Sequence, residues 1–164
     1  QHRRARPQAR ARQRDIAGQR LLLLGAGGAA RGVILPLLAA KPASLLIANR
    51  TADKARALAA AFSGCAGGGF DDIGGRSFDI VINATSAGLA GGVLPRLTFA
   101  FAPGCLAYEM VYGKDTDFLR QARASGATTA DGLGMLVEQA AEAFFVWRGV
   151  RPDTAPVLKE LRPS

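Results

Sequence analysis

Histidine is almost missing from this chain: the single imidazole in 164 residues is His2, inside an arginine-rich opening stretch. The body of the sequence thus offers no imidazole for base catalysis or metal ligation, which excludes a Ser-His-Asp triad and a zinc hydrolase. Cysteine is scarce too. Cys65 and Cys105 stand far apart without ligand-type neighbours, so neither a metal site nor a disulfide framework is read, and a reducing, cytoplasmic setting is expected. No apolar run approaches the roughly 20 residues that cross a bilayer, and no signal-peptide pattern opens the chain. A soluble protein with no membrane partner is expected.

Acids are missing from residues 1–14, which hold Arg3, Arg4, Arg6, Arg10, Arg12 and Arg14. Six of the eight net positive charges sit there, leaving +2 for everything that follows. This head has no large apolar residue with which to bury a face, so disorder is expected and the segment is read as foreign to the fold. A nucleic-acid arm would work beside a basic domain surface, and a transit peptide would be serine-rich and amphipathic; neither pattern is met. The missing initiator methionine reads as a truncation, a cloning artefact or an out-of-frame reading of GC-rich DNA. Residues 15–164 suffice for one domain with a sizeable core, given that 49% of the chain is hydrophobic.

What is present alternates between two periods. Residues 21–24 are four leucines, residues 44–48 read Ser-Leu-Leu-Ile-Ala, residues 78–83 read Phe-Asp-Ile-Val-Ile-Asn, and another strand is expected over 106–111. Short, continuous apolar runs suit strands of a parallel sheet covered on both faces. Helices are expected over 29–40, kinked or stopped early by Pro36, and from about 52, with Thr51 as cap and Ala55, Leu58, Ala59 and Phe62 on one face. Further helices are expected over 117–125, 133–148 and 153–161, with residues 63–69 as a loop. Strand alternating with helix predicts an α/β, doubly wound parallel sheet of the Rossmann type.

The first strand breaks into Gly25-Ala26-Gly27-Gly28-Ala29-Ala30. In a dinucleotide site the first glycine allows the tight turn, the second admits the pyrophosphate, and a small third residue lets helix and strand pack; Gly25, Gly27 and Ala30 fill those places. Amides opening the next helix would then point at phosphate, along a favourable helix dipole. A glycine turn with no ligand has the same spacing. At the end of the second strand an NAD site normally has an acid for the ribose hydroxyl, and here stand Asn49-Arg50-Thr51, with Lys54 one turn on. A guanidinium can grip a 2′-phosphate in bidentate fashion and stack on adenine, which points to NADP; the alternative is that Arg50 and Lys54 are solvated charges. Asn83-Ala84-Thr85-Ser86-Ala87-Gly88 leaves the third strand at the edge where ligands collect, although a plain turn would look similar.

Those three segments, with Tyr108-Glu109-Met110-Val111-Tyr112-Gly113-Lys114 and Asp131-Gly132-Leu133-Gly134-Met135-Leu136-Val137-Glu138-Gln139, occur in an order that closely resembles the C-terminal half of shikimate dehydrogenase, from about Asp15 onward. The resemblance implies that Gly25, Ala26, Gly27, Gly28 and Ala29 hold the pyrophosphate of NADP, and Asn49, Arg50, Thr51 and Lys54 its 2′-phosphate. Thr85, Ser86, Met110 and Gly132 would flank ribose and nicotinamide, and Tyr112 and Gln139 would reach the substrate. From the residues alone, Gln139 reads as a solvent-facing helix position.

Family members also carry an N-terminal substrate domain with a proton-transferring lysine and aspartate and a serine-rich loop, absent from these residues. The Asp-Gly-x-Gly segment before the first strand is absent too, and Glu109 stands where the family usually has Asp. No catalytic residue and no metal is therefore expected here, only the NADP-binding domain of an enzyme that reduces 3-dehydroshikimate to shikimate, and no turnover by these residues alone. An exposed interdomain face would favour self-association. The rivals are a quinate/shikimate dehydrogenase of the same fold that accepts NAD, a nucleic-acid-binding module using the basic head, and a degenerate fragment.

Overall fold

Leu21, Leu22, Leu23 and Leu24 are all inaccessible to solvent, because the strand they form, β1 (Arg20–Leu24), is covered on both faces. In a computed structural model describing residues 16–86, 94–97, 100–111 and 113–132, β1 lies inside a six-stranded sheet. The other strands are β2 (Ser44–Asn49), β3 (Ala66–Gly69), β4 (Phe78–Asn83), β5 (Phe101–Glu109) and β6 (Thr128–Asp131). Their order is β3-β2-β1-β4-β5-β6, and every pairing is parallel.

Among the described residues the α-helices are α1 (Gly28–Ala39), α2 (Ala52–Ala60) and α3 (Asp117–Ala124). Alternation along each strand splits the core in two. Leu21, Leu23, Leu45, Ile47, Ile80 and Ile82 meet Val33, Ile34 and Leu37 of α1 and Ala55, Leu58 and Ala59 of α2. Leu22, Leu24, Leu46, Val81 and Ala107 meet Phe118, Leu119 and Ala122 of α3 on the other side. Layers on both faces make this the expected doubly wound α/β sheet. The chain runs outward through β2 and β3 and returns to β4, so the strand order reverses between β1 and β4, where such sheets open a crevice at their carboxyl ends.

Several local expectations change. Residues 63–69 were expected to be a loop, yet residues 66–69 are the edge strand β3. Ala-Gly-Gly-Gly has poor strand propensity, but the backbone of α2 presses on this strand. A Cβ on Gly67 would lie 2.2 Å from the carbonyl oxygen of Ala55, so close tertiary approach overrides propensity. β6 escaped the sequence reading: four residues, Thr-Thr-Ala-Asp, none of them buried, carry no periodic signal. β5 starts earlier and stops sooner than expected. Phe101 pairs with Phe78 and Leu106 with Ile80, so residues 102–105 bulge opposite one residue. Pro36 lies within the last turn of α1, which ends three residues later. Thr51 is the N-cap of α2 but its side chain makes no capping bond; the backbone carbonyl of Thr51 accepts from Lys54 N instead, at 3.2 Å. The helices expected over 133–148 and 153–161 lie outside the described residues.

Both cysteines sit against the sheet, Cys105 buried and Cys65 half-buried, with no disulfide between them. Among the described residues no helix is long and apolar enough to cross a membrane, and the exposed large apolar side chain is Leu35.

Gly67→Ala should lower stability by about 1–3 kcal/mol, the usual range for forcing a methyl into a packed site. Gly75→Ala, where a Cβ meets nothing within 4 Å, should be close to neutral. Urea unfolding of both variants checks this; equal midpoints would show that α2 does not press on β3 as described.

Candidate functional site

Three backbones meet where β1 ends. Gly25 N donates to the carbonyl of Ala48 on β2, and Ala84 N, just past β4, donates to the carbonyl of Leu24, each at 2.8 Å. Gly25 turns with φ +111°, and a Cβ there would stand 2.8 Å from the carbonyl oxygen of Ala84. Left-handed torsion and absent space both demand glycine. The sequence assignment of Gly25 as the tight-turn glycine is matched by this geometry.

Gly27 and Gly28 are glycine for a different reason. Gly27, the N-cap of α1, is extended (φ −87°, ψ −166°), a conformation open to any residue. A Cβ at Gly27 or Gly28 would meet nothing within 4 Å. No side chain caps the helix and no acid occupies its first turn. Gly27 and Gly28 are exposed, so the opening turn of α1, with the positive end of the helix dipole, is accessible from outside, the arrangement that favours a phosphate. Ala26 and Ala29 are half-buried against the core, and Ala30 is fully buried, so a small residue at that position serves helix-strand packing as expected. Beside it, the Arg31 guanidinium sits 6.0 Å from the centroid of the Phe62 ring, a cation-π distance.

At the end of β2 the Asn49 amide donates to the carbonyl of Thr51 at 3.2 Å and shapes the turn, while Arg50, Thr51 and Lys54 are exposed. Several other cations of the fold are paired: Arg20 with Asp79 at 3.0 Å, Arg56 with Asp53 and Asp72 at 3.3 and 3.2 Å, and Arg120 and Arg123 with Asp115. Arg50 and Lys54 have no acidic partner among the described residues. Two uncompensated positive charges therefore lie next to the glycine turn, since β1 and β2 run in register up to Leu24 and Ala48.

On the opposite side of the turn lies a polar chain whose connection the sequence reading missed, since it named Asn83, Thr85 and Glu109 separately and Thr116 not at all. Glu109, at the end of β5, has no exposed surface. Its Oε2 accepts from the Asn83 amide at 2.9 Å and from the Thr116 hydroxyl at 2.7 Å, and its Oε1 accepts from Val111 N at 3.1 Å. Asn83 Oδ1 accepts in turn from Thr85 N at 3.2 Å and from the Thr85 hydroxyl at 2.7 Å. Thr116 also caps α3 by accepting from Leu119 N. The available signal was an amide and a carboxylate ending two apolar strands, but nothing in their spacing says that they pair.

The remaining predicted positions follow the same edge. Thr85 is half-buried and Ser86 exposed, whereas Met110 is buried in the core on the α1/α2 side. Gly113 N donates to Asp131 at 3.0 Å, tying the exit of β5 to the end of β6, where Gly132 follows with φ +90°. Gly25, Asn49, Thr85, Met110 and Gly132 thus sit at the carboxyl ends of adjacent strands. Tyr112 and Gln139 lie outside the described residues.

Among the described residues no group of histidine, cysteine, aspartate or glutamate could hold a metal. Burial pushes the Cys65 thiol and the Tyr108 phenol up, so both stay protonated near neutral pH, and the Asp115 carboxyl, held low by the hydrogen bond from Arg123, lies on the exposed start of α3. The site is equipped to bind and orient an extended anion. Gly25→Ala should lower stability by roughly 2–4 kcal/mol, from torsional strain and overpacking together, while Gly27→Ala leaves it within about 0.5 kcal/mol. Thermal melts of the two variants read this directly; a stable Gly25→Ala protein would refute the close approach of Ala84.

The model of the shikimate / quinate 5-dehydrogenase family matches residues 8–90, just over half of the chain, and that of the shikimate 5′-dehydrogenase C-terminal domain matches residues 132–162. The NADP(+) shikimate dehydrogenase of Dechloromonas aromatica is 67% identical over 153 residues, covering 90% of this chain and 56% of its own length. The chain thus spans about half the length of the curated relatives it matches. Among solved structures, an Ael1 enzyme from Pseudomonas putida is 50% identical with a TM-score of 0.68, covering 92% of this chain and 57% of that one. Shikimate 5-dehydrogenase from Thermus thermophilus, in complex with NADP(H) and shikimate, is 34% identical with a TM-score of 0.60, covering 88% and 54%. Glycine turn, basic β2 end, strand order and both family models agree: the chain belongs to the shikimate / quinate 5-dehydrogenase family.

Proposed function

We propose that this chain is the NADP-binding domain of a shikimate dehydrogenase, the half that holds the cofactor for reversible reduction of 3-dehydroshikimate to shikimate. The observation that carries the reading is the pairing of an uncapped glycine N-terminus of α1 with the unpartnered Arg50 and Lys54 beside it. A pyrophosphate fits the first, where no Cβ fills the space above the amides, and a 2′-phosphate fits the second. NADP supplies or accepts a hydride; the residues here bind and orient it. Gly25 shapes the turn, Gly27 and Gly28 leave the amides of α1 accessible, and Arg50 with Lys54 grips the 2′-phosphate, assisted by Thr51. Thr85, Ser86 and the Met110 and Gly132 backbones line the nicotinamide end. Tyr112 and Gln139 are assigned to substrate.

These 164 residues on their own are expected to bind cofactor without useful turnover. The described residues present no group poised to transfer a proton, and losing general acid-base help typically lowers a rate by about 10² to 10⁴. A shikimate-dependent NADPH assay running at an ordinary enzymatic rate would overturn that expectation.

Calorimetric titration with NADP and with NAD tests the cofactor reading. NADP should bind more tightly, and Arg50→Ala should weaken NADP by about 10- to 100-fold, the value of a charge-assisted bond to phosphate, leaving NAD unchanged. Gly27→Ala, neutral for folding, should weaken both by crowding the pyrophosphate. Equal affinity for the two cofactors would favour the quinate/shikimate type instead.

A further inference from the structure

The buried chain Thr116–Glu109–Asn83–Thr85 does more than satisfy its own polar groups, because the acceptor-only carboxylate at its centre and the Thr85 backbone N–H at its end together set the direction of every hydrogen bond in it. Both oxygens of Glu109 are occupied by donors: Asn83 Nδ2, Thr116 Oγ1 and Val111 N. A carboxylate can only accept, so Asn83 must turn its NH₂ toward Glu109. Its Oδ1 must then face Thr85, where it accepts both the amide and the hydroxyl proton. With its proton directed inward, the half-buried Thr85 hydroxyl keeps only lone pairs for whatever approaches the strand-exit turn.

We propose that Glu109 is a positioning residue which, through Asn83, fixes Thr85 as a hydrogen-bond acceptor for a donor on the nicotinamide half of the cofactor, a carboxamide N–H or ribose O–H. The inference rests on the NADP reading above and concerns only that half of the molecule. The network has two arms. One runs through Asn83 to Thr85 at the crevice; the other runs through Thr116 to the N-terminus of α3, on the far face of the sheet. A purely structural network would make both arms equivalent for binding, and a positioning network makes only the first one matter.

Glu109→Gln must set its NH₂ against a donor, Val111 N if its oxygen keeps the place of Oε2, and it removes the charge that holds Asn83, so the hold on the Thr85 hydroxyl loosens. Titrations of the whole chain with NADP+ and with 2′,5′-ADP, which lacks the nicotinamide half, read the consequence. Glu109→Gln should weaken NADP+ by about tenfold, the worth of one hydrogen bond, and leave 2′,5′-ADP within about twofold. Thr116→Val, cutting the other arm, should lower the melting temperature and leave the ratio of the two affinities unchanged. If Glu109→Gln does not fold, Glu109→Asp, which keeps the charge but withdraws the oxygens by one methylene, should shift the ratio in the same direction. An unchanged ratio in the Glu109 variants, or an equal shift in Thr116→Val, overturns the inference while leaving the cofactor reading in place. A wild-type chain that binds neither ligand overturns both.

Discussion

Much of this structure depends on the contact at Gly25, where the chain leaving β1 passes so close to the chain leaving β4 that a single methyl would collide with the Ala84 carbonyl. The same few atoms carry the hydrogen bonds that hold β2 and β4 to either side of β1. A parallel sheet has its strand exits along one edge, and this crossing draws three of them together at the point where strand order reverses. α1 starts three residues later, so the position of its N-terminus follows from that of Gly25. The proposed pyrophosphate position at the start of α1 therefore follows from sheet geometry rather than from side chains.

Neighbouring exits are held by polar side chains instead. An ionised carboxylate inside a fold is costly unless hydrogen bonds replace its water, and Glu109 obtains three of them from groups that would otherwise be orphaned: an amide at the end of β4, a backbone N–H past β5 and the capping hydroxyl of α3. No buried side-chain polar atom among the described residues is left without a partner. Satisfaction that complete gives each hydrogen bond one direction, and direction is what a site needs if it is to distinguish donors from acceptors on a ligand. Asp131, accepting from Gly113 N, repeats the device one strand further out in exposed surroundings, where water competes and the bond is weaker.

Legibility in the sequence followed hydrophobic burial. β1, β2 and β4 declared themselves because both faces of each are covered, which makes their middles almost wholly apolar, and their predicted spans agree with the observed ones to within a residue. β3 and β6 are edge strands, and their residues respond to what lies against them. Gly67 is glycine because of α2, a tertiary fact with no local trace, while Thr128 is exposed and Thr129 half-buried, as in a loop. The site divides in the same way. The turn at Gly25 and the packing of Ala30 were readable because each has a local chemical reason that a motif preserves. The pairing of Asn83 with Glu109 spans 26 residues, and only the β4–β5 register, Asn83 opposite Glu109, brings the two together.

Two contrasts within the chain separate what the fold requires from what it leaves for a ligand. Some glycines are indispensable to the backbone: Gly25 by torsion and contact, Gly67 by contact alone. Gly27 and Gly28 are not, since a Cβ on either would hang in open space, and glycine in that position gives up stability through the entropy of the unfolded chain. The cations divide likewise. Arg20, Arg56, Arg120 and Arg123 are matched by aspartates, whereas Arg50 and Lys54, like Arg31, which lies near a ring, and Arg76, which bonds backbone carbonyls, have no acidic partner among the described residues. Residues that folding does not need thus gather at the edge where the topology opens a crevice, and the proposed cofactor, with a pyrophosphate and a 2′-phosphate, carries the two separated negative charges that this arrangement suits.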